Sequence, residues 1–273
     1  MENKNAIKIT AVVDNISNCG MSVEHGLCLW IEACKHRFFF DLGQSDLFAE
    51  NAAKLGINVN EAEFAVISHG HYDHGGGIIS FLKANNHVPV YIHKKAFGEY
   101  YSLKEDCHRY IGLHKSLYGN SRIVLIDGVK DISSGITVFE GCDGNDYFSP
   151  ANRKILKKEP MGFKHDEFAH EQSVVISNGD KNILIAGCAH SGIVNIMRKA
   201  EAVTGKKLTH VISGMHLTGV SDEAFIDNLG KELLQHDCQY YTCHCTGESA
   251  YNKLKSCMGK RINYLSCGDS IVI

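Results

Sequence analysis

Ser68-His69-Gly70-His71-Tyr72-Asp73-His74-Gly75-Gly76-Gly77 is the stretch on which the reading of this chain turns. Four side chains able to ligate a metal ion fall within six residues, directly after the short apolar run Phe64–Ser68. In extended backbone, residues 69, 71 and 73 project to one side. Asp73 and His74 are neighbours, so a turn must begin there for both to point inward. The three glycines permit that turn and allow the following helix to approach closely. Two imidazoles followed by an Asp–His pair divide between two adjacent metal ions, and imidazole with carboxylate suits zinc, iron or manganese.

Working outward, the pattern alternates between the two secondary-structure periods. Upstream, Ile7–Val13, Leu27–Glu32 and Arg37–Asp41 read as a strand meander. Ser45 is placed to cap a helix with Phe48, Ala52 and Leu55 on one face and Gly56 at its end. Gly75–Gly77 opens a helix through about Leu82, and Val88–His93 is another strand. Downstream, strands are expected at Ser173–Ser177, Asn182–Ala186, Leu208–Ser213, Gln239–Thr242, Ile262–Leu265 and Ser270–Ile273. Helices are expected from Ser191 to about Val203, over Asp222–Leu234 and over Gly247–Cys257. A meander followed by βα units, twice over, points to two packed sheets with helices outside.

The stretch 94–170 is less regular. Lys94–Lys115 reads as helical, and Gly141–Lys164, with two of the three prolines, reads as loop. It lacks an alternating core of its own, which argues for one domain over 1–273 with an irregular insertion at about 94–170 covering a site.

Composition sets the outer bounds. A chain of 273 residues with 44% hydrophobic and 22% charged residues is globular and needs no disulfide staple. Its net charge of −3 argues against nucleic acid as a partner. No apolar run approaches the ~18 residues of a membrane span. The opening residues lack the apolar core of a signal peptide, so eleven cysteines without a C-x-x-C pair read as reduced thiols in a cytoplasm. Sixteen histidines are the one anomaly. A phosphate-binding G-x-x-x-x-G-K-[ST] loop and a G-x-S-x-G elbow are both missing.

His69-x-His71-x-Asp73-His74 after an apolar strand resembles the signature of the metallo-β-lactamase superfamily. Phe39-Phe40-Asp41-Leu42-Gly43 resembles the segment that precedes it there. Asp14-Asn15, Glu24-His25-Gly26-Leu27, Gly187-Cys188-Ala189-His190, Gly214-Met215-His216-Leu217 and His244-Cys245-Thr246-Gly247 follow in an order similar to the branch named after dihydropterin–ribofuranosylaminobenzene phosphate synthase. The resemblance runs from about residue 9 onward.

It implies an αβ/βα sandwich of two mixed sheets, with two divalent ions at one edge. His69 and His71 match ligands of one metal; Asp73, His74 and His244 match ligands of the other. Cys188 stands where many members place an aspartate. His190 is then expected as a further ligand, with Cys188 as a site-lining thiol or itself a ligand, and His170 as a competing candidate. His216 is expected to face substrate and act in catalysis with Asp73, and Glu24 and His25 to line the substrate site. The remaining histidines read as surface or core residues.

The chemistry implied is metal-assisted hydrolysis through a water of lowered pKa. Two divalent ions, zinc before iron or manganese, leave the site near +3 with Asp73 included, which favours a small anionic, phosphorylated metabolite. Two alternatives stand beside a hydrolase: a transferase condensing a dihydropterin pyrophosphate with a ribofuranosylaminobenzene phosphate, and a non-enzymatic ligand sensor on the same fold. A homo-oligomer is compatible with the sequence.

Overall fold

Strand His36–Phe40 shows how the layers arise. Successive side chains point to opposite faces, so Phe38 and Phe40 enter one apolar cluster while Phe39 enters another. The same parity holds in the strand Lys181–Ala186, where Ile183 and Ile185 face inward and Leu184 and Ala186 outward. The structure, a computed structural model, describes residues 6–105 and 107–273. Residues 1–5, part of the opening stretch read for an export signal, lie outside the described residues.

One seven-stranded sheet runs in the order Ser270–Val272, Lys8–Val13, Cys28–Ala33, His36–Phe40, Phe64–Ile67, Val90–His93 and Ile123–Ile126. Its pairs are antiparallel as far as His36–Phe40 and parallel from there. The second runs Ile262–Tyr264, Gln239–Thr242, His210–Ser213, Lys181–Ala186, Gln172–Asn178, Ile136–Glu140 and Lys130–Ser133. Here the first four strands are parallel and the rest antiparallel. The inner faces share one core, including Phe38, Phe40, Val66, Val174, Ile183 and Ile212. Helices Leu47–Lys54 and Ile78–Ala84 cover the outer face of the first sheet. Helices Ile193–Thr204, Glu223–Leu233 and Glu248–Met258 cover that of the second. This is the αβ/βα sandwich that the alternating periods predict.

The interval 94–170 departs from its reading. Residues 123–126 complete the first sheet, and Lys130–Ser133 with Ile136–Glu140 complete the second, so this part belongs to the sandwich itself. The expected helix over Lys94–Lys115 is instead a hairpin, Tyr100–Lys104 with Cys107–Tyr110. The expected loop contains strands Ile155–Glu159 and Gly162–His165, which join that hairpin in a four-stranded sheet. The tyrosine pairs obey a period of two: Tyr100 is buried, its ring 3.9 Å from that of His170, while Tyr101 faces Tyr110 and Phe163 across the strands.

Two smaller expectations also change. Asp46 immediately precedes helix Leu47–Lys54 and makes no side-chain cap bond, while Ser45 Oγ, one residue further back, accepts the Leu47 N–H at 3.1 Å. The glycines of the motif serve close approach rather than an unusual turn. Gly76 and Gly77 have ordinary helical torsions, and a Cβ on either would sit 2.2 Å from a carbonyl oxygen, that of Gln44 or of Leu42.

Candidate metal centre

After strand Phe64–Ile67 the chain bends at His69 and Gly70, is extended at His71, and enters the one-turn helix Tyr72–Gly75. His69 and His71 come to one cluster. The turn beginning at Tyr72 sends Asp73 and His74 towards another. His190 arrives from the end of strand Lys181–Ala186, His216 from the end of His210–Ser213, and His244 from the end of Gln239–Thr242. Asp41, Ala189, His216 and His244 have positive φ, from 46° to 59°. Such non-glycine left-handed residues cost about 1–3 kcal/mol each and gather where function over-determines the backbone.

In the first cluster the ring nitrogens of His69, His71 and His190 lie within 4.8 Å of one another. All three Nε2 atoms are buried and without a hydrogen-bond partner. Two of the rings are held from behind. His190 Nδ1–H donates to Asn152 Oδ1 at 2.9 Å, and Asn152 Nδ2 donates to the His190 carbonyl at 2.8 Å. His69 Nδ1 lies 2.8 Å from Ser68 Oγ, which in turn donates to Asp41 at 2.8 Å. Each arrangement puts the hydrogen on Nδ1 and leaves the Nε2 lone pair aimed at its neighbours. Burial and the neighbouring histidines depress the His69 and His190 pKa values well below normal, and burial with His170 takes His71 down to about 3. Three neutral imidazoles with bare, converging lone pairs fit a divalent cation.

The second cluster centres on Asp73. Its Oδ2 lies 3.3 Å from His25 Nε2, 3.4 Å from His244 Nε2 and 3.7 Å from His74 Nε2. His74 Nδ1–H donates to Asp41 at 2.6 Å, and His244 Nδ1–H donates to Asn15 Oδ1 at 2.8 Å. Burial opposes a charge on His74, yet the Asp41 and Asp73 carboxylates outweigh it and raise its pKa to about 9. Burial likewise works against the Asp73 anion, and the surrounding histidines outweigh it, holding Asp73 well below the usual range. A pocket that pulls a proton onto a buried imidazole is one that attracts a cation. Cys188 joins the clusters. Its Sγ is 3.1 Å from His74 Nε2 and shares ligand groupings with His69, with His190 and His216, and with His244 and Cys245. Burial raises this thiol well above its usual pKa, so a thiolate here needs a cation beside it.

The structure brings together His69, His71, Asp73, His74, His190 and His244, with His25, His216 and Cys188 around them. His170 is not among them. Its Nδ1 accepts from the Gly70 N–H at 2.9 Å and its Nε2–H donates to Asp166 at 2.9 Å, so both nitrogens are spent. The expectation for Glu24 is corrected. Its carboxylate accepts from the backbone N–H groups of Gln44 and Ser45 and from the Ser45 hydroxyl, bracing that loop away from the cleft. His216 faces the cleft with its ring 4.2 Å from that of His190 and its Nδ1 unpartnered. Sequence reasoning gave no role to Asp41, Ser68, Asn152 and Glu171. Glu171 accepts the His190 and Ser191 N–H groups at 2.8 and 2.9 Å. The only available signal was that such residues sit within a few positions of a ligand or in a loop that returns to it.

Two expectations follow. Asn152→Ala frees the His190 ring and should weaken metal binding by about 10–100-fold in a chelator-competition titration. An unchanged affinity would remove Asn152 from the site. Without metal, the buried histidines make the fold acid-labile. Each has a folded pKa below the ordinary histidine value of about 6.5, so below that pH the unfolded chain binds more protons. The stability that His71, His69 and His190 provide by staying neutral is present above about 6.5 and declines as pH falls towards 3. Chemical denaturation of chelated protein across that range should show it, and a flat profile would contradict the assignment.

Residues 20–200 match the family description "Metallo-beta-lactamase superfamily". An uncharacterized protein of Methanocaldococcus jannaschii is 30% identical over 90% of this chain and 93% of its own length. The 7,8-dihydropterin-6-methyl-4-(beta-D-ribofuranosyl)-aminobenzene-5'-phosphate synthase of the same organism is 25% identical over 84% of this chain and 83% of its own. Among solved structures, a metal-dependent hydrolase of the beta-lactamase superfamily superposes with a TM-score of 0.82 at 27% identity, over 97% of this chain and 98% of that one.

Proposed function

The chain belongs to the metallo-beta-lactamase superfamily, and from that premise we propose that it is a dinuclear-metal hydrolase of a small anionic, phosphorylated metabolite. The observation that carries this is the set of bare, buried Nε2 atoms on His69, His71, His190 and His244, arranged as two clusters that share Cys188. His69, His71 and His190 would hold one ion and Asp73, His74 and His244 the other, with Cys188 beside both sets. Divalent zinc, iron or manganese supplies Lewis acidity and a nucleophile from water at neutral pH.

The protein's part is positioning and proton traffic. Asp73 is the one carboxylate in the two clusters and the group able to take a proton from attacking water. His216, beside His190 with an unpartnered Nδ1, would give one to a leaving oxygen. The four-stranded sheet lines one side of the cleft through Ser102, Lys104, Arg109 and Ile155. The cleft, about 1210 Å³, is roomy for a metabolite rather than a polymer. No helix among the described residues is long and apolar enough to cross a membrane.

The test is an assay of full-length, metal-loaded protein on bis(p-nitrophenyl) phosphate and p-nitrophenyl phosphate, with metal content counted in parallel. Metal-dependent release of nitrophenolate supports the hydrolase. Two bound ions with no ester cleavage would leave the sensor reading. A second reading, condensation of a dihydropterin pyrophosphate with a ribofuranosylaminobenzene phosphate, is supported by the 25% identity to the synthase. It predicts a coupled product from those two substrates and no net hydrolysis of either alone.

A further inference from the structure

The cleft is lined by more than the metal clusters. Lys104, Arg109, Arg153 and Lys154 stand along it, all exposed. Elsewhere on the surface, cations such as Lys94, Lys115, Arg198 and Lys207 lie 2.5–2.7 Å from a carboxylate oxygen. The four in the cleft have no ion pair among the described residues. Two carboxylates outside the clusters share the lining. Glu105 is at the hairpin turn, and Asp222 accepts from Phe225 N at the start of a helix.

The four cations come from two sides, and each pair is tied to a predicted metal ligand. Ser102 pairs with Arg109 and with Ile155 in the overlying sheet. Lys104 lies two residues from Ser102, so the period of two sends Ser102, Lys104, Arg109 and Ile155 to the cleft face. The hairpin runs on to Ile111, whose carbonyl accepts the Tyr72 N–H at 2.8 Å, and Arg109 lies over the Tyr72 ring at 5.5 Å. Tyr72 is the residue before Asp73. On the other side, Arg153 and Lys154 follow Asn152, which holds His190 from behind. The same cleft is also lined by Tyr72, Ile111, Ile155 and Val220.

We propose that these residues form a second anion subsite, so that the substrate is two-ended: a scissile group at the metals, an apolar body across Tyr72, Ile111 and Ile155, and a distal phosphate or carboxylate held by Arg109 and Arg153 with Lys104 and Lys154. This rests on the cleft being a substrate site, as the hydrolase reading has it. Arginine suits the role because its planar fork matches an oxyanion in bidentate fashion.

The test uses non-hydrolysable probes on full-length, metal-loaded protein. Calorimetry compares alkane-α,ω-diphosphonates of increasing chain length with alkylphosphonates of the same length. At the chain length that spans the cleft, the diphosphonate should bind about tenfold more tightly or better, the worth of one charge-assisted contact. The margin should shrink with added salt and vanish in the Arg109→Glu/Arg153→Glu double variant with its metal content retained. A series in which no length gives a margin, or a margin that survives the double variant, overturns the subsite. Because the probes are not turned over, the outcomes separate. Binding with a margin but no ester cleavage removes the hydrolase and keeps the subsite, and cleavage without a margin does the reverse.

Discussion

His190→Ala should bind one ion fewer than the parent chain and lose about three orders of magnitude in metal-dependent hydrolysis, the worth of several kcal/mol of Lewis-acid stabilisation. The reason is geometric. The first cluster has three imidazoles, and His190 is the one that the second sheet contributes to it. Removing it leaves that cluster with His69 and His71 alone. The control is His170→Ala, since His170 lies 5.9 Å from His69 and 5.2 Å from His71, ring to ring. Its nitrogens already serve Gly70 and Asp166, so that variant should keep its metal content while losing about 1–3 kcal/mol of stability from the groups it leaves unpaired. Metal analysis by mass spectrometry with urea unfolding decides the matter. Loss of an ion from His170→Ala and not from His190→Ala would reverse the assignment.

Asp73→Asn should empty the second cluster. Asp73 Oδ2 is the common neighbour of His25, His74 and His244, and it is the formal negative charge among them. The amide has almost the same shape, so packing is kept and charge is lost. An amide nitrogen turned towards three imidazoles also repels a cation. The expected result is one ion retained at His69, His71 and His190, one lost, and hydrolysis lower by about a thousandfold or more. In the metal-free protein the same change removes one of the two carboxylates that hold the His74 pKa near 9, so that value should fall. NMR titration of the His74 ring would read this directly. A variant that retains both ions and near-parental turnover would remove Asp73 from the ligand set.

The sandwich was legible because both sheets follow simple periods. Ile183 and Ile185 against Leu184 and Ala186 declare their faces in the sequence, and helix Ile193–Thr204 carries its stripe of Ile193, Ile196, Met197 and Ala200 openly. The hairpin Tyr100–Tyr110 did not read correctly, because a short, half-exposed sheet has one packed face and its other residues mimic a polar helix. The motif at 69–74 was legible because its ligands are local. His190 was preferred to His170 on the strength of the resemblance, since by position alone both flank strands whose ends meet at the same edge. What separates them is an N–H of Gly70 and a carboxylate of Asp166, contacts made across the fold or around a turn. Glu24 misread for a related reason: a carboxylate beside a histidine in a glycine-flanked turn can serve the cleft or its own loop, and only the positions of Gln44 and Ser45 decide.

Strand Lys8–Val13 is flanked on one side by Ser270–Val272, and the Asp14 and Asn15 that follow it hold the backbone and ring of His244 at 2.6 and 2.8 Å. Strand Lys8–Val13 therefore completes its pairing only with a segment far along the chain. A nascent chain can pair residues 28–33 with 36–40 at once, but it presents a finished second cluster only after residue 244 and the strand that follows have emerged. Closure of the second cluster is thereby tied to a long-range contact, so the local motif at 69–74 is not enough to form it and the first sheet must be complete.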